Sequence, residues 1–188
     1  MKLIELERKW PICVFDIETT DLRADYGYVT TVCIYDYLKK KMFTYRIDDK
    51  RNPDKKNDRW VVEQAINKLN EFEVHVDYNG SMFDKPFLHT RSLLTGLDML
   101  IKPCYNRDLL YPARHKFRLS SRRLQYVERI LFNVTTKTFT TPALKNAIIR
   151  GEKYALDFTV NHCRKDVLST ARLYTKFMPY LTNNLKRK

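Results

Sequence analysis

Negative charge is in deficit in this chain: 22 Asp and Glu face 35 Lys and Arg, a net charge of +13 over 188 residues. Long apolar runs are also missing. No stretch approaches the ~18 residues that cross a bilayer, which excludes a membrane span. Cys13, Cys33, Cys104 and Cys163 are widely separated, with no C-x-x-C pair and no zinc spacing, so a structural zinc site is excluded as well. Cys13 and Cys33 fall in strand-like runs, where an unpaired thiol behaves as a small buried hydrophobe, and a reducing compartment fits them. No internal repeat and no low-complexity linker interrupts the chain, which reads as one domain over residues 1–188. The first residues, Met1-Lys2-Leu3-Ile4-Glu5-Leu6-Glu7, carry acids where a signal peptide has its apolar core. A soluble cytoplasmic protein is therefore expected.

Hydrophobic residues make up 44% of the chain, too many for a disordered protein and enough for a real core. The positive excess favours a polyanion as partner, through phosphate neutralisation and counterion release. Nucleic acid is the expected class of partner, and no membrane is expected.

The element pattern is α/β. Strands are predicted from about Ile12 to Glu18, Val29 to Tyr37 and Lys41 to Ile47, with a glycine-free hairpin turn through Tyr37-Leu38-Lys39-Lys40-Lys41. A polar loop follows, and Asp58 is positioned to cap a helix from Trp60 to about Asn70. Phe72 to Tyr78 returns to strand alternation, and Asp84 or Lys85 opens a helix that tolerates Pro86 in its first turn. Ser120 or Ser121 is expected to cap a helix through Leu131. Thr141-Pro142-Ala143 starts another that Gly151 stops, and a last helix runs from about Leu156 to Tyr180. Antiparallel strands followed by alternating helix and strand predict a central mixed sheet flanked by helices.

The scarce acids are not scattered evenly. Asp16 and Glu18 occur as Val14-Phe15-Asp16-Ile17-Glu18-Thr19-Thr20, where two-residue spacing on a strand aims both at one point. Asp84 stands at a helix start and Asp166 inside the last helix. Hard oxygen donors of this kind suit Mg²⁺ or Mn²⁺, which keep open positions for water and phosphate. Two such ions ~4 Å apart activate a water and stabilise the leaving 3′ oxygen of a phosphodiester. His162 lies four residues before Asp166, on the same helical face, where a neutral imidazole can accept a proton near neutral pH.

Taken in order, these segments resemble a known family. Asp16-Ile17-Glu18-Thr19-Thr20 is similar to the first motif of the DEDD-type 3′→5′ exonucleases, which share the RNase H-like (DnaQ-like) fold. Asp77-Tyr78-Asn79-Gly80-Ser81-Met82-Phe83-Asp84-Lys85-Pro86 is similar to the second motif as found in family B DNA polymerase proofreading domains. His162-Cys163-Arg164-Lys165-Asp166 resembles the third. The segments Arg107-Asp108-Leu109-Leu110-Tyr111-Pro112-Ala113-Arg114 and Leu119-Ser120-Ser121-Arg122-Arg123-Leu124 look like those of the YprB-like exonucleases. In the histidine branch of these nucleases the histidine usually stands one residue further from the final Asp than the tyrosine does in its branch. Here a histidine takes the shorter interval, as in the YprB-like pattern, and Cys163 replaces an Asn of that pattern.

The resemblance implies an RNase H-like fold with three antiparallel strands followed by parallel ones. It implies that Asp16, Glu18, Asp84 and Asp166 hold two divalent ions, Mg²⁺ or Mn²⁺, and that His162 is the general base. The backbone at Thr19 and Thr20 would meet the terminal sugar, while Asn79 and Phe83 would line the nucleotide track. Arg114 belongs to a basic run (Arg107, Arg114, His115, Lys116, Arg118, Arg122, Arg123, Arg129) interleaved with Tyr111, Phe117 and Tyr126, a mixture suited to phosphates and stacked bases. The implied activity is 3′→5′ exonucleolysis of single-stranded DNA, favoured over RNA, releasing nucleoside 5′-monophosphates, with a replication or repair protein as possible partner. An RNA-directed or structure-specific nuclease of the same fold is the alternative, and a catalytically silent nucleic-acid-binding subunit would be marked by a missing acid.

Overall fold

A computed structural model describes residues 10–134 and 141–181. The acidic segment at residues 1–7 lies outside them. Strands β1 (Ile12–Thr19), β2 (Val29–Asp36), β3 (Lys41–Arg46), β4 (Val74–Asp77) and β5 (Tyr105–Asp108) form one mixed sheet in the order β3-β2-β1-β4-β5. β1 pairs antiparallel with β2 and parallel with β4, β2 pairs antiparallel with β3, and β4 pairs parallel with β5. This is the expected α/β sheet, three antiparallel strands followed by parallel ones.

Helices cover both faces. They are α1 (Arg59–Leu69), α2 (Asp84–Leu94), α3 (Leu110–His115), α4 (Leu124–Phe132), α5 (Pro142–Ile149) and α6 (Lys153–Phe177), the last continued by a 3-10 turn at Met178–Tyr180. Among the described residues no helix is long and apolar enough to cross a membrane.

Strand periodicity divides the core in two. Cys13, Phe15 and Ile17 of β1 face one cluster with Val61, Ala65 and Ile66 of α1 and Phe87 and Leu88 of α2. Ile12 and Val14 face the other, with Cys163, Val167, Ala171 and Tyr174 of α6. The four α6 residues recur at helical spacing and form its buried stripe. Because β1 is covered on both faces, it reads as a near-continuous apolar run until Asp16 interrupts it.

Several local expectations are corrected. Asp58 precedes α1 but its side chain makes no cap bond. It is fully buried and instead accepts Val29 N–H at 2.8 Å and Arg91 Nε and Nη2 at 2.9 and 2.8 Å. A charged fork and a strand amide outcompete a helix amide for the same oxygens. Neither Ser120 nor Ser121 caps α4, whose N-cap is Arg123 without a side-chain bond. Thr141 does cap α5, accepting from Leu144 N, and Gly151 (φ +73°) provides the left-handed stop. The hairpin after β2 manages without glycine: Asp36 Oδ1 accepts Leu38 and Lys39 N–H at 3.1 and 2.9 Å, and Lys40 takes φ +56°. Strand β5 and helix α3 carry no expectation from hydrophobic pattern, since Tyr105-Asn106-Arg107-Asp108 is mostly polar. All four cysteines are free and buried, as the composition suggests.

Candidate active site

Asp16 and Glu18 continue the face of β1 that carries Ile12 and Val14, so both turn toward α6. The parallel pairing of β1 with β4 ends at Val14↔Val76, leaving the next β1 amides without a strand partner on that side. Asp84, the first residue of α2, fills this gap: its Oδ1 accepts Ile17 N–H at 3.1 Å. The register of β1 against β2 shifts between Glu18 and Thr19, and the chain leaves the sheet there. The acids therefore gather at the carboxyl ends of β1 and β4, the side of a parallel arrangement where crevices form.

From α6, His162 and Asp166 close the group. His162 Nε2 lies 3.7 Å from Glu18 Oε1 and 3.7 Å from Asp166 Oδ2. That is too long for hydrogen bonds but close enough for each carboxylate to act on the ring. Phe158 lies nearly parallel to the imidazole, with centroids 6.0 Å apart. The residue after His162 in α6, the buried Cys163, donates its thiol to the Asp16 carbonyl at 3.3 Å, tying α6 to β1 beside the acids.

The electrostatics of the cluster are unfavourable without cations. Loss of hydration pushes Asp16 well above the ordinary carboxylate range, and Asp84, Glu18 and Asp166 push it further. Glu18 is raised to about 8 by burial and then by Asp166, and Asp84 to about 7 by burial, against the relief of the Ile17 amide. Burial raises Asp166 as well, partly offset by His162. Among the described residues no Lys or Arg forms an ion pair with any of the four, although the chain has 35 such residues. Mutually repelling carboxylate oxygens without a Lys or Arg counterion are the donor set that Mg²⁺ or Mn²⁺ prefers. Among the described residues, however, no three His, Cys, Asp or Glu side chains already form a closed metal-holding group. The fit is one of donor chemistry and position.

The remaining candidates surround the acids. Thr19 Oγ1 donates to the Asp21 carbonyl at 2.7 Å and Thr20 Oγ1 accepts Tyr28 N–H at 3.0 Å, so both side chains shape the turn after β1. Asn79 takes φ +72°, and its N–H donates to Asp108 Oδ1 at 2.8 Å. Gly80 N–H donates to Asp77 Oδ1 at 3.0 Å, and a Cβ at Gly80 would meet Asp77 Cβ at 2.6 Å. Phe83 is half-buried and tilts against Phe87, 5.6 Å between centroids, on the core side of the loop. A groove of about 740 Å³ opens beside Asp166, with Tyr78, Asn79, Arg114, Arg122 and Arg123 in its walls.

Two members of the basic aromatic run are withdrawn from it. Arg107 is 6% exposed within β5, and Phe117 packs on Phe177 and Tyr180. Sequence reasoning also missed three supports of the site: the Cys163 thiol, Asp77 and Asp108. Asp77 and Asp108 left a trace as acids at strand ends in a basic chain, and Cys163 as the residue that replaces an Asn of the resembled pattern.

The profile of the RNase_H superfamily (RNase_H_2) matches residues 13–178. Among solved structures, the family B DNA polymerase from the hyperthermophilic archaeon Pyrobaculum calidifontis shares the fold with a TM-score of 0.72. The match has 17% identity and covers 91% of this chain and 25% of the polymerase, so the chain spans about a quarter of that protein's length. No curated protein matches the chain in sequence.

Proposed function

Since the chain belongs to the RNase_H superfamily, we propose that it is a DEDD-type exonuclease of YprB-like character, which removes nucleoside 5′-monophosphates from the 3′ end of single-stranded DNA. The observation that carries this proposal is that Asp84, Glu18 and Asp166, from a helix start, a strand and a second helix, all act electrostatically on Asp16, with His162 3.7 Å from Glu18 and from Asp166. The shared fold of the polymerase supports it at the level of architecture.

Asp16, Glu18, Asp84 and Asp166 would hold the divalent ions, which when bound polarise the scissile phosphate and acidify the attacking water. His162 accepts a proton from that water at Nε2. Glu18 and Asp166, each 3.7 Å away, stabilise the imidazolium that results. Cys163 holds the Asp16 backbone against α6, so the strand that bears two of the acids and the helix that bears the base keep one spacing. The turn at Thr19 and Thr20 meets the terminal sugar, and Asn79 and Arg114 lie along the strand.

The test uses 5′-labelled single strands of DNA and RNA with Mg²⁺ or Mn²⁺. A ladder shortening from the 3′ end, nucleoside 5′-monophosphates as products and faster loss of DNA are expected. Internal cuts, release from the 5′ end or equal rates on RNA would overturn the corresponding part of the proposal.

A further inference from the structure

Several arginines are neutralised by a neighbouring carboxylate. Arg46 is paired with Asp48 and Asp157, Arg51 with Asp49, Arg91 with Asp58 and Arg150 with Glu152. Among the described arginines that form no such pair, three are gathered in one place. Arg114 of α3 and Arg122 and Arg123 before α4 form no salt bridge with a described carboxylate, yet all three line the groove beside Asp166. Asp166 is the only carboxylate in that lining.

Other features set this groove apart from a solvated basic face. Tyr78 Oη donates to the Arg122 carbonyl at 2.5 Å, pinning the arginine segment to the loop that leads from β4 to Asp84. Asn79, the next residue, is fixed in the left-handed region by its N–H bond to Asp108. No side chain caps α4, whose first residues Leu124 and Gln125 stand in the same wall. Guanidinium forks and an uncapped helix start are both phosphate-binding chemistry. Thr19 and Thr20 are absent from the lining.

We propose that the Arg114–Arg122–Arg123 groove is the track for the phosphates preceding the cut, so that the protein selects polyanionic strands of several nucleotides over short ends. This rests on the exonuclease reading: with the terminal sugar at Thr19 and Thr20, the groove that shares Asp166 is left to the strand's 5′ side. Two lost phosphate contacts, at about half a decade of affinity each, lower binding roughly tenfold and make the slope of log K against log salt shallower by roughly 1.4.

The experiment compares wild type, Arg122→Ala/Arg123→Ala and Tyr78→Phe on fluorescent oligothymidylates from a dinucleotide to a 12-mer, reading Kd by anisotropy in EDTA and its salt slope, together with KM and strand cleavage in Mg²⁺. The double variant is expected to raise KM roughly tenfold on the 12-mer, with the loss shrinking as the strand shortens. Tyr78→Phe, which keeps all three guanidiniums, is expected to raise KM in the same length-dependent sense by less. Wild-type KM and slope in the double variant, with strands still degraded by wild type, overturn the groove and leave the exonuclease reading standing. Arginine- and length-dependent binding with no cleavage by wild type supports the groove as a strand track and overturns the exonuclease reading.

Discussion

Removing the Asp58 carboxylate should damage the fold severely. Asp58 is 0% exposed and accepts from Nε and Nη2 of Arg91, itself 17% exposed in its side chain, along with the Val29 amide at the start of β2. Asp58→Ala leaves an uncompensated buried cation, which costs about 3–5 kcal/mol. The orphaned amide falls within the same range, because relaxation that rehydrates one group reaches the other. For a chain of this size that corresponds to roughly 10 °C in Tm. The effect extends to the turn after β1, since Arg91 Nη1 also donates to the Ala24 carbonyl at 3.1 Å. Urea titration of Asp58→Ala, Arg91→Met and the double variant measures the pair directly. The double variant should be more stable than Asp58→Ala alone, with a coupling of about 2 kcal/mol. A single-variant loss below about 1 kcal/mol, or a double variant no better than Asp58→Ala, would refute the buried-pair account.

Other outcomes follow from the same geometry. His162→Ala should lower turnover by about 10²–10⁴-fold while Mn²⁺ binding measured by calorimetry survives, and a near-normal rate would remove His162 from the mechanism. Gly80→Ala should cost about 1–3 kcal/mol in denaturant titration, because the new Cβ meets Asp77 at 2.6 Å, and should raise KM by displacing Asn79. Asp77 is raised to about 8 by burial and then by Asp108, so its contribution is full below its unfolded value of about 4 and declines as pH rises toward 8. In EDTA, the stability of Asp77→Asn relative to wild type should therefore climb by about 1.4 kcal/mol per pH unit through that window. A pH-independent difference would contradict the buried neutral carboxyl.

How much could be read beforehand depended on where the signal resides. β1 and α6 declare themselves through apolar periodicity, and the acids stand out because they break it: Asp16 ends a buried run and Asp166 sits one residue before Val167 of the buried stripe. β5 and α3 stayed hidden because short elements at a sheet edge need little apolar pattern, and Arg107 is buried there regardless of its charge. Asp58 looked like a cap because caps are local, whereas its partner Arg91 is 33 residues away. The Cys163 bond to Asp16 spans 147 residues and depends on how α6 is laid against β1, which no local spacing encodes.

The central claim is that the four acids act as one divalent-metal centre for strand cleavage. Its most direct test pairs Mn²⁺ titration with degradation of 5′-labelled single-stranded DNA, for wild type and Asp16→Asn. Wild type should bind Mn²⁺ and shorten the strand from its 3′ end, while the variant, still folded, should lose both together. Equal cleavage by Asp16→Asn, or cleavage by wild type undiminished in EDTA, would contradict the claim.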